Sequence, residues 1–168
     1  MYQTFKNYIM RISNLKMQKI EETLEDFKTL LPRYNKVKGD KEALKRFCSR
    51  NRNPVWDLTN IKYFKTGLKS DALIKSGEKP VNEHYVQRSL CMELIFRTLD
   101  RNPDMTTEQF IELLRKYAST ISVTKDEHRT ITQFTKHTEI LNYMIYRKLG
   151  IRVRGLRRVI NDTPKIYI

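Results

Sequence analysis

The sequence predicts a predominantly helical α+β fold in one domain, with a small β-hairpin or ββα-like element set among the helices. Three observations lead there. Apolar residues recur at spacings of three and four along most of the chain, two Thr-headed capping boxes mark helix starts, and only short alternating or β-branched pieces interrupt the pattern. A length of 168 residues suits one domain, and nine Tyr, seven Phe and one Trp supply a core despite a 31% share of charged residues. Neither a membrane span nor a secretory signal is expected, because no apolar run nears ~20 residues and Lys6 and Arg11 interrupt the first apolar positions. The expected location is the cytoplasm, or the host cytoplasm for a viral protein.

At the amino end Phe5, Tyr8, Ile9 and Ile12, then Ile20, Leu24, Phe27 and Leu31, share a helical face. The spacing predicts one long helix or two shorter ones, with Ser13-Asn14 as break or cap and Pro32 as the stop. The stripe would serve a dimer as readily as a core. Residues 33–52 read as a loop and then a short helix from about Asp40. Pro54, Gly67, Gly77 and Pro80 make residues 53–81 irregular, with room for a strand among apolar pieces such as Ile61-Tyr63-Phe64. Leu90, Leu94, Ile95 and Leu99 predict a helix ended by Asn102-Pro103, and Thr106-x-x-Gln109 opens a second with Phe110, Leu113, Leu114 and Tyr117 inward. The two should pair as a hairpin. Ile121-Ser122-Val123 suits a strand, and Thr124-x-x-Glu127 starts a helix at once, with His128 in its first turn. A helix from about Thr138 to Leu149 closes at Gly150, and a last short one spans 153–160. Three stretches follow: a basic helical part at 1–53, a core with a helical insertion at 54–132, and a basic helical part at 133–168.

Charge is the strongest functional signal. Thirty-three Lys and Arg oppose 19 Asp and Glu, a net charge of +14. Such a surface gains free energy from the counterions a polyanion releases, so nucleic acid is the expected partner, and no membrane is expected. In residues 33–52 the candidate phosphate contacts are Arg46, Arg50 and Arg52, facing only Asp40 and Glu42. Between Leu141 and Asn161, Arg147, Lys148, Arg152, Arg154, Arg157 and Arg158 have no acid among them in sequence, and Arg favours bidentate phosphate contact. Trp56, Tyr63 and Phe64 could stack on bases or anchor the core. Cys48 and Cys91 lack CxxC spacing and read as reduced thiols.

Chemistry has few candidates. Of His84, His128 and His137, the first two each follow a carboxylate, in Glu83-His84 and Glu127-His128. Hydrolysis of a phosphodiester needs a group to activate water and a divalent ion to neutralise charge on the phosphate. His137, in Thr-Lys-His-Thr, lacks such a context and reads as structural.

The order of parts, an extended piece through Pro80-Val81 ending at Glu83-His84, a strand at Ile121-Ser122-Val123 and a helix with His128 in its first turn, resembles the ββα-metal motif of the HNH endonucleases. Glu-His-Tyr-Val-Gln-Arg-Ser at 83–89 is similar to that family's acid-His opening, and the whole is reminiscent of small bacteriophage nucleases. The resemblance covers 79–132. It implies Glu83 and His128 as metal ligands, His84 as general base, a divalent ion (Mg²⁺, with Mn²⁺ or Zn²⁺ as options), and Arg88 or Arg129 on a neighbouring phosphate. It requires the 90–117 hairpin to be an insertion between the two strands, and residues 117–120 carry no Asn where the family usually has one. The expected function is a metal-dependent DNA endonuclease. The alternatives are a non-catalytic nucleic-acid-binding or regulatory protein using the same basic faces, and a protein that binds an acidic protein surface.

Overall fold

The computed structural model describes residues 14–59, 64–84, 86, 88–135 and 144–156. In chain order the elements are α1 (Asn14–Val37), α2 (Lys41–Arg50), α3 (Asn53–Thr59), β1 (Lys65–Lys69), α4 (Asp71–Ser76), β2 (Val81–His84), α5 (Arg88–Arg101), α6 (Thr107–Tyr117), β3 (Thr120–Val123), α7 (Lys125–Thr135) and α8 (Met144–Lys148). The fold is predominantly helical α+β, as the periodicity predicts.

α1 buries Ile20, Leu24, Phe27, Leu31 and Tyr34 along one face. Pro32 does not stop it. The helix runs through Pro32 to Val37, so 33–37 are helical and not loop. Pro32 has no N–H for the carbonyl one turn back, a loss that ordinarily breaks a helix. The turn beyond it carries Tyr34 into the core, where its ring stacks on Phe96 with centroids 5.5 Å apart and also meets Phe47. Burying such a side chain is worth about 2 kcal/mol, and that offsets much of the lost bond. Residues 1–13, with the first part of the expected stripe, lie outside the described residues.

α2 begins where expected because Asp40 caps it, its carboxylate accepting from the Glu42 and Ala43 N–H groups at 2.9 and 3.0 Å. The 53–81 segment folds into short pieces. α4 is capped by the Ser70 hydroxyl, which accepts from the Leu73 N–H, and it closes on Gly77, whose φ of 64° is a left-handed conformation that suits glycine. The strand of this stretch, β1, lies just beyond the apolar piece that predicts one, of which 61–63 are outside the described residues.

The sheet has three strands in the order β1-β3-β2, so the expected hairpin gains a third member. β2 pairs antiparallel with β3, with Glu83 opposite Ile121 and His84 opposite Thr120, while β1 runs parallel to β3. Between β2 and β3 the chain makes the α5–α6 excursion. Thr106 and Gln109 cap α6 reciprocally, and Phe110, Leu113, Leu114 and Tyr117 are buried. One core cluster runs from Phe27, Phe47, Phe96 and Phe110 among α1, α2, α5 and α6 to Ile121, Val123, Ile131 and Tyr146 around the sheet. Cys48 and Cys91 are buried and free.

Near the carboxyl end Gly150 closes the turn after α8 with φ 68°. Val153 is not helical: it bridges Ser70, and the Asp71 N–H donates to the Arg152 carbonyl at 2.8 Å. The segment thus extends the sheet beyond the end of β1, because two backbones with unmet polar groups pair there. Residues 136–143 and 157–168, with His137 and parts of the expected terminal helices, lie outside the described residues.

Candidate active site

β3 is followed without a loop by α7. The Thr124 hydroxyl accepts from the Glu127 N–H at 3.0 Å, and the Glu127 carboxylate accepts from the Thr124 N–H at 2.9 Å. The Ser70 hydroxyl donates to the same Glu127 oxygen at 2.5 Å, which ties the start of α7 to the end of β1. That cap fixes the direction of α7 over β2, and one turn along, the His128 Nδ1–H donates to Glu83 Oε2 at 2.5 Å. Glu83 is buried and its partner half-exposed. Burial raises the Glu83 carboxyl above the usual carboxylate range, opposed by the hydrogen bond and charge of His128, by Arg88 and by the His84 N–H.

Successive strand residues point to opposite faces, so His84 turns away from the side on which Glu83 meets α7. Its Nδ1–H donates to the Ala118 carbonyl at 3.0 Å, at the junction of α6 and β3. Its ring lies 4.9 Å from Trp56 of α3, and the Arg88 guanidinium lies 5.0 Å from the same indole. Burial, reinforced by the Arg88 charge and opposed by the Ala118 carbonyl, pulls the imidazole down to about 4. At neutral pH it is therefore uncharged, with its proton fixed on Nδ1 and a lone pair on Nε2. The Tyr146 hydroxyl donates to the His84 carbonyl at 3.4 Å. Burial, with the nearby charges of Glu83 and Glu127, pushes that phenol well above its usual value.

The structure brings Glu83 and His128 into contact and gives His84 its own surroundings, linked to Glu83 through a backbone N–H and the shared charge of Arg88. Among the described residues no group of three or more His, Cys, Asp or Glu side chains is arranged to hold a metal ion. A hard cation such as Mg²⁺ keeps most of its waters and needs one or two protein ligands, and two such ligands side by side at about 2.1 Å from it lie about 3 Å apart. The Glu83–His128 spacing of 2.5 Å is that of a hydrogen bond. The carboxylate suits Mg²⁺ or Mn²⁺, whereas the imidazole suits Zn²⁺ better than Mg²⁺.

Arg46, Arg50, Arg52, Arg88, Arg147, Lys148 and Arg152 are exposed. Arg129 pairs with Asp126 at 3.3 Å. Arg154 donates to the Asp71 carboxylate at 3.0 Å, so the carboxyl-terminal run is not without an acid: the fold supplies one from α4. Arg157 and Arg158 lie outside the described residues. Trp56, for which the sequence allows base stacking or a core role, packs beside His84 and Arg88. The Ala118 carbonyl, which sets the His84 tautomer, carries no side-chain signal that could announce it. Comparison of the chain with protein-family models, curated proteins and solved structures finds no match.

Proposed function

We propose that this protein binds nucleic acid through its basic surface and hydrolyses phosphodiester bonds in a metal-dependent reaction. The observation that carries the reading is the contact of Glu83 with His128, two residues from remote segments that the ββα-metal resemblance pairs. Glu83 and His128 would hold the divalent ion, which when bound supplies positive charge to the scissile phosphate. In this reading the Nε2 of His84 takes the proton from water, which requires the water to be reached from the face of β2 opposite the one on which Glu83 meets His128. Burial keeps that nitrogen unprotonated at neutral pH, at some cost in basicity. Arg88, beside Trp56, offers its guanidinium to a neighbouring phosphate, and the exposed Arg and Lys side chains hold the backbone, which carries no sequence information.

Incubation with supercoiled plasmid and Mg²⁺ or Mn²⁺ tests this. Nicked circles should form with metal and not with chelator, and His84→Ala should slow the reaction by about 100-fold or more, as loss of a general base does. Unchanged activity in that variant would remove His84 as base. A second reading, a non-catalytic nucleic-acid-binding protein, is favoured by the 8% exposure of His84 beside Trp56, which restricts access to its ring. Plasmid bound tightly but never cut with Mg²⁺, Mn²⁺ or Zn²⁺ would select it.

A further inference from the structure

Three arginines line a single cleft at the junction of α1 and α2. Arg33 and Val37 come from the end of α1, Ala43, Arg46, Phe47 and Arg50 from α2, and Asn51 follows α2; together they enclose about 180 Å³. Arg46 and Arg50 stand four residues apart on one helical face. All three arginines are exposed, and among the described residues no hydrogen bond or ion pair engages their guanidinium groups. The acids near Arg46 are Glu42, exposed one turn before it on α2, and Asp40, whose carboxylate caps α2 and feels the Arg46 charge, and neither forms an ion pair with its guanidinium among the described residues. Arg50, in the last turn of α2, complements the helix dipole, which accounts for one of the three charges and not for Arg33 or Arg46.

The floor is apolar. Phe47 is buried and Val37 half-buried, so the cationic groups sit beside a low-dielectric surface where their mutual repulsion is less screened. The Asn51 side-chain amide donates to the Phe47 carbonyl at 2.8 Å and fixes the rim. Three planar donor forks around a space of this size match the oxygens of a phosphate group. α3 begins two residues beyond Asn51 and carries Trp56, so one short helix joins this cleft to the surroundings of His84 and Arg88.

We infer that the α1–α2 cleft is a phosphate-binding site that takes one phosphodiester group of a nucleic-acid strand. It rests on the nucleic-acid-binding half of the function proposed above and not on hydrolysis. The test uses the full chain with chelator present, so that cleavage plays no part, and measures binding of a labelled DNA duplex as a function of salt. Arg33→Ala/Arg46→Ala/Arg50→Ala should weaken binding by about tenfold or more and flatten the dependence of log K on log salt by about 0.9 for each phosphate left without its cation. Lys36→Ala/Lys45→Ala removes two exposed charges from the same helices outside the cleft and should do clearly less. Replacing the three arginines with lysine should restore the salt slope and only part of the affinity. In parallel, inorganic phosphate should raise the melting temperature of the wild type and not of the triple alanine variant.

A wild type that binds no DNA but shows the arginine-dependent response to phosphate keeps the phosphate site and removes nucleic acid as its source, and with it the proposed function. DNA bound with equal losses in the cleft and control variants, and no arginine-dependent phosphate response, overturns the site while leaving the wider function standing. Absence of both DNA binding and the phosphate response overturns both.

Discussion

The His128 ring donates to the Glu83 carboxylate across 45 residues of sequence, and the path between them is the whole α5–α6 hairpin. Two local devices make the contact. The antiparallel register of β2 and β3 sets Glu83 opposite Ile121, and the Thr124–Glu127 cap turns the chain into α7 directly after β3. One helical turn then suffices to bring the imidazole over the strand.

That pair should respond asymmetrically to substitution. His128→Ala leaves a buried carboxylate without its donor and should cost about 1 to 2 kcal/mol. Glu83→Gln keeps an acceptor for the imidazole and removes the penalty that burial places on the charged carboxyl, so its stability should stay within about 0.5 kcal/mol of wild type. Urea denaturation of both variants checks this. Equal losses would mean that the carboxylate is better solvated than its burial indicates. If the proposed metal role holds, Glu83→Gln should nonetheless abolish cleavage in a folded protein.

His84 gives stability a specific dependence on pH. Its folded value, about 4, lies below the unfolded value, about 6.5. Between those limits the unfolded chain binds a proton that the folded protein refuses, so this group's contribution falls as the pH drops through the window. The loss is roughly 3 kcal/mol at full extent, with no further change below about 4. Glu83, raised by burial, acts in the opposite sense, since the folded state there holds its proton more firmly. Denaturation curves at several pH values, compared between wild type and His84→Gln, isolate the histidine, and parallel pH profiles for the two would contradict its burial.

Pro32→Ala should stabilise the protein. The substitution restores an N–H to an exposed position inside α1, worth up to about 3 kcal/mol by helix propensity, less roughly 1 kcal/mol for the freedom the unfolded chain regains. A melting temperature raised by several degrees is expected. An unchanged or lowered value would indicate that the helix does not continue past Leu31 in solution.

Elements that depend on a few neighbouring residues are legible in the sequence: the Thr106 and Thr124 boxes, the helix start near Asp40 and the α5 and α6 stripes all describe short stretches of chain. Pro32 misleads because the burial of Tyr34 that offsets it depends on Phe96, far along the sequence. The parallel pairing of β1 with β3, the bridge from Ser70 to Val153 and the ion pair from Arg154 to Asp71 depend on tertiary placement in the same way. At the site, side chains with distinctive chemistry can be singled out from the sequence. Their orientation cannot, because the alternation that separates His84 from Glu83 appears only once the strand boundaries are fixed.

Trp56 is the only tryptophan in the chain, and its contact with His84 makes it a reporter for the ring. An imidazolium beside an indole is a better electron acceptor than a neutral imidazole, so Trp56 emission should dim when His84 gains its proton. The midpoint should fall at about 4, where burial and the Arg88 charge have moved the titration. Far-UV circular dichroism recorded on the same samples separates this step from acid unfolding. In His84→Gln the step should vanish, whereas a residual step would belong to another neighbouring group. A midpoint near 6.5 in the wild type would mean that His84 is solvated in the folded protein. The uncharged imidazole required for proton abstraction would then be lost just below neutral pH, and activity would decline over that range instead of persisting toward about pH 4.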